Sequence, residues 1–459
     1  MTLRQLARLC FLKIKMTITN FKNLAKNPLR QKALLIAEAG YKAIEISRVI
    51  HQKIKLKENQ LVIILASING SKKLKLNLND YPRIFLIGIG KGSALACATL
   101  AKILGKKLTG GIALDIQKPK LEIRNLKLEI LAGTHPLPSQ KNVNATQKII
   151  KLAKRLNKDD LLITFICGGG SALACASKTE LKASQTIFKE LTKKGADIIE
   201  LNTVRKHLSE LKGGNLAKLA YPATVISLIV SDVPTANSDI SMVASGPTVF
   251  DKTAKKDAIR ILKEYNFQFP ISNFQLLETS KDRKFFNKVK NILFLSNQEP
   301  VLAMAKKAEE LGFKPKIYSL KIQGEAKNAL LPLMEAIKKN EAILAAGETT
   351  VTLDNRPTGR GGRNMEAVLG ALTKSLNSKF YILNSNLVMS FASDGRDNTE
   401  AAGAIGDILT LKKAQKLKLN FQEFLNKHNS FSFFKKTGDL IFAKQKTFNV
   451  SDLVVVLKE

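Results

Sequence analysis

The residues with the clearest chemistry lie in two glycine-rich segments, Gly88–Ser93 and Gly168–Ser171, each of which follows an apolar run. Glycines let a backbone approach a phosphate closely, and successive N–H groups can form an anion-binding nest. Lys91 adds a cation to the first segment. Its spacing matches neither a P-loop nor a complete dinucleotide fingerprint, and no acidic residue is recognised at the expected strand end. Phosphate binding is therefore predicted for Gly90, Gly168, Gly169, Gly170 and Ser171.

A third group of polar residues lies between Asn202 and Gly214. Asn202 is predicted to cap a helix, which would place Arg205 and Lys206 in its first two turns. The helix dipole disfavours cations there unless an anion lies nearby. Asn202, Arg205 and Lys206 are therefore predicted to bind a carboxylate or phosphate of a substrate.

A single carboxylate, Asp232, follows the apolar run 223–230. A carboxylate at the end of a buried strand costs desolvation unless it has a partner. Asp232 is thus a candidate general base or metal ligand. The alternative is that it only initiates a turn ahead of Pro234.

Arginines and glycines alternate in the segment 359–364. Arginine forks suit phosphoryl oxygens, so Gly361, Gly362 and Arg363 are predicted to contact phosphate. Three acidic residues nearby in sequence could hold Mg²⁺, directly or through water. These candidate metal ligands are Glu348, Asp394 and Asp397.

Short apolar runs alternate with helical patterns along the chain, which predicts a parallel, doubly wound α/β sheet. The motifs above follow the predicted strands, where ligands bind in such sheets. A Lys-, Asn- and Phe-rich stretch between 250 and 290 interrupts the alternation, and a second series follows it. Two domains are expected, at 27–270 and 288–459.

The composition is globular but strongly basic. Of 459 residues, 45% are hydrophobic, and 74 Lys+Arg against 38 Asp+Glu give a net charge of +36. Such a charge suggests a polyanion partner. The lysines are dispersed, however, and aromatics make up only 6%, so base-stacking surfaces are not evident. Four cysteines fit no zinc spacing, and residues 1–15 do not form a signal peptide, so a cytoplasmic protein is expected.

Taken together, the motifs resemble the glycerate 2-kinase family. The resemblance rests on Gly88–Ser93, His135–Pro138, Gly168–Leu173, Asn202–Gly214, Ser231–Val233 with Ser245–Thr248, and Gly359–Glu366, in that order, and covers the chain from about 27 to 457. It implies a Rossmann-like N-terminal domain, a smaller α/β C-terminal MOFRL domain and an active site between them. It also implies ATP and Mg²⁺ as cofactors and phosphorylation of D-glycerate to 2-phosphoglycerate. Lys91, Asp232 and Arg363 are the catalytic residues carried over by motif.

Two alternative functions stay open at this point. Family members are often labelled hydroxypyruvate reductases, and the early glycines suit a nicotinamide cofactor. A basic nucleic-acid-binding protein is the second alternative, although no specific nucleic acid and no membrane are expected as partners. The expected partners are ATP and a small hydroxy acid, and a homodimer is left open.

Overall fold

The computed structural model of the protein describes residues 16–65, 72–119, 126–233, 239–267, 276–353, 358–377 and 386–459. The chain divides into two compact units. The middle unit comprises residues 45–296 and 448–450, and the terminal unit comprises the chain up to residue 44 together with 297–447 and 451–459.

The middle unit begins with a small antiparallel sheet of three strands in the order β1-β2-β3. Six parallel strands then form its main sheet, in the order β6-β5-β4-β7-β8-β9. The strands are β1 (Ile54–Lys57), β2 (Gln60–Leu65), β3 (Lys72–Asn77), β4 (Arg83–Ile89), β5 (Leu108–Asp115), β6 (Glu129–Ala132), β7 (Asp160–Cys167), β8 (Thr224–Val230) and β9 (Val289–Leu295).

The strand order of the main sheet confirms the predicted doubly wound fold. Counted from β4, it is the Rossmann order 3-2-1-4-5-6. The order reverses between β4 and β7, so the loops after these two strands flank the switch point, where ligands bind in such sheets. β7 shows why a continuous apolar run predicts a strand of a parallel sheet. Its apolar residues do not alternate with polar ones, and every one of them is buried.

The helices of the middle unit cover its main sheet and connect its strands. They are Ile46–Lys53, Ser93–Leu104, Gln140–Ala153, Gly170–Leu173, Lys178–Lys193, Ile198–His207, Asn215–Ala220 and Lys255–Glu264, with 3-10 turns at Leu78–Asp80, Gly105–Lys107, Val243–Ser245 and Arg283–Phe286.

The terminal unit contains a mixed sheet in the order β10-β11-β15-β12-β13-β14. β10 and β11 are parallel, and the other neighbouring pairs are antiparallel. Along β15, Leu453 and Val455 enter one apolar cluster while Val454 and Val456 enter another. Alternate residues therefore build a separate core on each face. The strands are β10 (Lys314–Ile322), β11 (Glu341–Gly347), β12 (Asn386–Ala392), β13 (Gly403–Gly406), β14 (Leu440–Ile441) and β15 (Asp452–Lys458).

Helices pack on both faces of this second sheet. They are Phe21–Leu24, Pro28–Ala43, Gln298–Glu310, Ala326–Ala329, Leu331–Ala336, Arg363–Asn377, Ile408–Lys416, Phe421–Asn426 and Ser430–Thr437. In the described ranges, none of the protein's helices has the length and apolar character needed to span a membrane.

The units differ from the expected domains 27–270 and 288–459. The helix Pro28–Ala43 buries Leu34 and Tyr41 in the core of the terminal unit, together with residues of β11, β12 and β15. At the other boundary, β9 pairs with β8 and completes the main sheet of the middle unit. The amphipathic helix at the start of the chain therefore belongs with the C-terminal half, which its sequence alone did not indicate.

Candidate active site

The loops that follow β4 and β7 lie together at the switch point of the middle unit. The backbone N–H of Lys91 donates to the carbonyl oxygen of Gly168 at 2.9 Å, which joins the two loops directly. The N–H of Gly90 donates to the carbonyl of Leu114 at 3.1 Å. That donor is therefore not available to a phosphate, which corrects the predicted role of Gly90. Within the first loop, the Lys91 side chain stays the predicted contact to a ligand.

The first helix of the sheet carries an anion supplied by the chain itself. Asp115, the last residue of β5, accepts hydrogen bonds from the backbone N–H groups of Gly92 and Ala94, the latter at 3.1 Å. Its carboxylate therefore occupies the N-terminus of the helix Ser93–Leu104, where the helix dipole favours negative charge. Burial raises the pKa of the Asp115 carboxyl to about 6, against the effect of these N–H donors and of Lys91.

Asp115 also corrects an expectation about the strand ends. No acidic residue was recognised at the end of the strand that follows Gly88–Ser93, because β5 itself was not predicted. The second strand of the Rossmann order does end in a carboxylate. Asp115 is only 4% exposed and bonds to backbone, so it is held away from solvent.

The second loop, Gly168–Ser171, differs from the first in its backbone donors. In the part of the chain that the structure describes, no acceptor is recorded for the N–H groups of Gly168, Gly169, Gly170 and Ser171. Gly169 adopts the left-handed region with φ +75°, which turns the chain into the short helix Gly170–Leu173. Successive N–H groups of this kind form an anion-binding nest.

Three polar side chains surround this second loop. A Cβ atom built on Gly169 would lie 3.2 Å from Cγ of Lys91 and 3.3 Å from Nε2 of His135. A Cβ atom on Gly168 would collide with the carboxylate of Asp232. Only glycines allow this approach, and they bring Lys91, His135 and Asp232 around one point.

The carboxylate of Asp232 is oriented by a residue distant in sequence. Nδ2 of Asn449 lies 3.4 Å from Oδ2 of Asp232, and residues 448–450 belong to the middle unit. Asp232 follows β8, as predicted, and Ser231 beside it is buried. The Pro234 turn that offered an alternative explanation lies outside the described residues.

A chain of hydrogen bonds connects Arg205 to the second loop. Nη1 of Arg205 lies 3.4 Å from Oδ1 of Asn202, which also accepts from the hydroxyl of Ser245 at 2.8 Å. The hydroxyls of Ser245 and Ser171 lie 2.9 Å apart. The guanidinium of Arg205 also lies 4.7 Å from the ring centre of Phe188. Burial lowers the pKa of Arg205 to about 10. No carboxylate is paired with Arg205 among the described residues.

The predicted position of these residues in their helix is wrong. The helix Ile198–His207 is capped by Asp197, whose carboxylate accepts from the N–H groups of Ile199 and Glu200 at 2.8 Å each. Asn202 is therefore internal, and Arg205 lies in the last turn, where the dipole favours cations. The dipole argument for an anion is lost. In its place stands a half-buried guanidinium without a carboxylate partner among the described residues.

Lys206 is not brought to the same site as Arg205. Its ammonium lies 3.1 Å from Oδ1 of Asp251, and both side chains are buried. Asp251 also accepts hydrogen bonds from Thr253 and Thr279. Lys206 is thus committed to a structural ion pair, which corrects its predicted substrate-binding role.

In the terminal unit, Arg363 forms an ion-pair triad at the start of the helix Arg363–Asn377. Its Nε and Nη2 bond to the two carboxylate oxygens of Asp452 at 2.5 and 3.2 Å, and its Nη1 lies 2.8 Å from Oε1 of Glu348. Burial opposes the charge, but the carboxylates of Asp452 and Glu348 outweigh it and raise the pKa of Arg363. The Arg363 side chain keeps 27% exposure.

The two glycines before Arg363 make close contacts with the protein itself. A Cβ atom on Gly362 would collide with Asp397, and one on Gly361 would collide with Ser430. Their predicted role was to let a phosphate approach. The space beside each of them is instead filled by a neighbouring side chain, so packing accounts for both.

The three predicted metal ligands do not assemble into one site. No group of three or more His, Cys, Asp or Glu side chains suited to a metal ion occurs among the described residues. Glu348 is paired with Arg363, and Asp394 accepts from the N–H of Arg396 at 3.1 Å. Asp397 is buried and accepts from the N–H of Met365 at 3.0 Å. Burial, reinforced by Asp452, raises the pKa of Asp397 to about 7, which disfavours the charged form that Mg²⁺ needs.

Four residues of the candidate site were not assigned a role from the sequence. His135 was recognised only as part of a proline-rich turn, and Asp115 lay in an unpredicted strand. Ser245 and Asn449 reach the site from distant segments of the chain. For Asn449 the sequence carries no local signal, because its position depends on the tertiary fold.

Comparisons with known proteins agree with this architecture. A family model described as a domain of unknown function (DUF4147) matches residues 32–278, and the MOFRL family model matches residues 341–452. A solved structure of glycerate kinase from Thermotoga maritima is similar, with a TM-score of 0.77 and 27% sequence identity, over 94% of this chain and 99% of that one.

Curated relatives match most of the chain. The chain is 29% identical to glycerate 2-kinase of Pyrococcus horikoshii, over 94% of its own length and 97% of the relative. It is 31% identical to D-glycerate 2-kinase of Thermotoga maritima, over 83% and 92% of the two chains. It is also 33% identical to a putative hydroxypyruvate reductase of Agrobacterium vitis, over 83% and 89%.

Proposed function

The chain belongs to the glycerate kinase family, and we propose that it transfers the γ-phosphoryl group of ATP to the C2 hydroxyl of D-glycerate, giving ADP and 2-phosphoglycerate. The single observation that best supports phosphoryl transfer is the convergence of Lys91 and Asp232 on the open N–H groups of Gly168–Ser171. Such a transfer depends on positioning and charge neutralisation.

The ATP phosphates bind to the loop Gly168–Ser171. Its N–H donors have no recorded acceptor in the described chain, whereas the donors of the first loop are satisfied internally. The two glycine-rich loops therefore differ in function. One binds phosphate through its backbone, and the other presents the Lys91 side chain.

Lys91 neutralises the negative charge of the transferred phosphoryl group. Its side chain passes beside Gly169 and so reaches the phosphate from the loop side. A fixed cation that does not have to reorganise stabilises the transition state more than a solvated one.

Asp232 accepts the proton of the C2 hydroxyl while the oxygen forms its bond to phosphorus. Asn449 donates to one oxygen of Asp232 and thereby orients the other. His135 lies beside Lys91 near Gly169 and contacts the same phosphate. The γ-phosphorus–oxygen bond to ADP breaks, and ADP leaves with the electron pair of that bond.

Arg205 binds the carboxylate of glycerate. The support is its partial burial without a carboxylate partner in the described chain, because a partly desolvated guanidinium gains from an incoming anion. Oδ1 of Asn202 accepts a hydrogen bond from the guanidinium. Lys206 is left out of this role because Asp251 neutralises it.

Arg363 stays a proposed catalytic residue, with a qualified mode of action. Its guanidinium is neutralised by Asp452 and Glu348. To act on phosphoryl oxygens, it releases Glu348, which is the more exposed of the two carboxylates, and binds the phosphoryl oxygens in its place. Mg²⁺ is expected for a kinase. Glu348, Asp394 and Asp397 do not form one site for it among the described residues.

The reductase alternative is disfavoured by the position of Asp115. In dinucleotide-binding sheets the pyrophosphate lies at the first helix N-terminus, and a carboxylate ending the second strand binds the ribose. Here that carboxylate occupies the helix N-terminus itself. For a nucleic-acid function, the net charge of +36 is the single supporting observation.

The proposal is tested by ADP release over a panel of short hydroxy acids, with NMR assignment of the phosphorylated carbon. We expect turnover with D-glycerate and phosphate on C2. Parallel assays with NADH and hydroxypyruvate but no ATP should show no oxidation of NADH. Reduction of hydroxypyruvate without ADP formation would replace the proposal with the reductase alternative.

A further inference from the structure

A buried ion pair contacts the backbone that directly follows the loop Gly168–Ser171. The side chains of Lys212 and Glu180 are each only 2% exposed, and the Lys212 ammonium donates to the Glu180 carboxylate. The same ammonium donates to the carbonyl oxygen of Ala174 at 2.6 Å. The other oxygen of Glu180 accepts from the N–H of Ala176 at 2.7 Å. Both charges are thus used to hold the backbone at 174–176.

This backbone ends the short helix that carries the phosphate-binding loop. The N–H of Ala174 donates to the carbonyl of Gly170 at 2.8 Å, so Ala174 closes the turn Gly170–Leu173. Because Lys212 binds the carbonyl of Ala174, the ion pair fixes where this turn ends. The N–H groups of Gly168–Ser171 lie at the start of the same turn.

The segment that contains Lys212 also supports the loop from its other side. The N–H groups of Gly213 and Gly214 donate to the carbonyls of Ser245 and Gly246 at 2.9 and 2.8 Å. Ser245 has a φ of 58°, which is unusual for a residue with a side chain and needs support from its surroundings. Its hydroxyl lies 2.9 Å from that of Ser171.

Stability alone gives a poor account of this ion pair. Removing two charges from water costs several kcal/mol, and apolar replacements of similar volume are often neutral or stabilising. The pair does join three chain segments, around residues 174–176, 180 and 212, next to one loop. We infer that Lys212, through its pair with Glu180, is a positioning residue that holds the Gly168–Ser171 loop in its phosphate-binding form; this inference rests on the proposed function of that loop.

The test replaces both charges at once, so that no buried charge is left alone. The variant Lys212→Met/Glu180→Gln is compared with Arg83→Met/Asp160→Asn, a control pair at the opposite ends of β4 and β7 in which Asp160 is buried and Arg83 is 40% exposed. Arg83 and Asp160 also form a carboxylate–cation pair, 2.7 Å between Nη2 and Oδ2. ADP binding by calorimetry, KM for ATP and for glycerate, and the melting temperature are measured on each full-length chain.

We expect the Lys212→Met/Glu180→Gln variant to bind ADP about ten-fold more weakly and to raise KM for ATP in proportion. KM for glycerate should stay within about two-fold, because Arg205 is not displaced. The control should keep wild-type ADP affinity. If the double variant does not fold, the charge-conserving Glu180→Asp is used instead. Its shorter side chain weakens the hold on Ala176 without leaving Lys212 unpaired, so it should give a smaller loss of the same selectivity.

Two outcomes overturn different statements. ADP affinity equal to wild type in the folded double variant, or an equal loss in the control, would overturn the positioning role. A wild-type chain that neither binds ADP nor phosphorylates glycerate would instead overturn the proposed function of the loop. A selective loss of nucleotide affinity at an unchanged melting temperature supports the positioning role, because a purely structural residue would not separate the two substrates.

Discussion

The carboxylate of Asp115 accepts a hydrogen bond from the backbone N–H of Ala94 at 3.1 Å, so the first helix of the Rossmann-type sheet begins on an anion of the protein itself. In this sheet order, that helix N-terminus is the usual place of a nucleotide phosphate. The protein instead leaves the donors after β7 open. The phosphate site that we propose therefore lies one strand away from the usual one, across the switch point.

Asp115→Asn should remove a pH dependence of stability. The folded-state pKa of about 6 exceeds the ordinary value of about 3.9, so the folded protein holds the extra proton between roughly pH 4 and 6. This contribution is present below pH 4 and is lost as pH rises through 6, by up to about 3 kcal/mol. Urea unfolding at pH 4.5, 6 and 7.5 measures it. The exposed Asp159→Asn serves as control, and an unchanged slope in Asp115→Asn would contradict the assignment.

Asp232→Asn should lower kcat by about 10²–10⁴ with little change in KM, because the amide cannot accept the hydroxyl proton. Asn449→Ala should lower kcat less, since Asp232 keeps its charge and loses only its orientation. Steady-state ADP release gives both constants. Equal effects of the two substitutions would mean that Asp232 orients the hydroxyl without taking its proton.

Arg205→Met should raise KM for glycerate by about 10–100-fold and leave KM for ATP unchanged, because only the carboxylate contact is lost. Lys206→Met tests the neighbouring cation. It leaves Asp251 buried without its ammonium partner, so it should reduce stability by roughly 3–5 kcal/mol without a selective effect on glycerate. Kinetics and thermal unfolding, measured on both variants, distinguish the proposed substrate-binding role of Arg205 from the structural role of Lys206. A selective KM effect in Lys206→Met would reverse the assignment.

Arg363→Ala should reduce the stability of the protein as well as its activity. Asp452 is 7% exposed on its side chain and would lose its main cation, at a cost of about 1–3 kcal/mol after allowance for the partial exposure of Arg363. Arg363→Lys keeps the charge but not the fork. If Arg363 acts on phosphoryl oxygens, the lysine variant should regain stability while kcat stays low. Recovery of both would indicate a structural role only.

Much of the fold could be predicted from sequence because apolar runs and helix periodicity agree with it. The sequence predicts strands at 83–89, 161–167 and 223–230 and a helix at 93–104. β4 and the helix Ser93–Leu104 have these bounds, and β7 and β8 agree with them to within one residue. β5 was missed, since Gly110 and Gly111 interrupt its apolar pattern. The antiparallel strands β1 and β3, which alternate lysine with apolar residues, were missed as well.

The candidate site was predictable where its residues follow strands directly. Lys91, Asp232 and the loop Gly168–Ser171 come together as strand-end positions should. The predicted substrate-binding role of Lys206 does not agree with its position. A one-residue step along a helix turns a side chain by about 100°, so Lys206 points into a different environment from Arg205. The partner of Lys206, Asp251, lies 45 residues away and is set by tertiary packing.

The contribution of residues 448–450 to the middle unit has a consequence for dissecting the protein genetically. A fragment spanning 45–296 would encode all nine strands and both glycine-rich loops, yet it would lack the amide that orients the proposed base. Supplying the rest of the chain as a second polypeptide would return that amide. Recovery of activity by the two fragments would therefore depend on three residues near the end of the sequence.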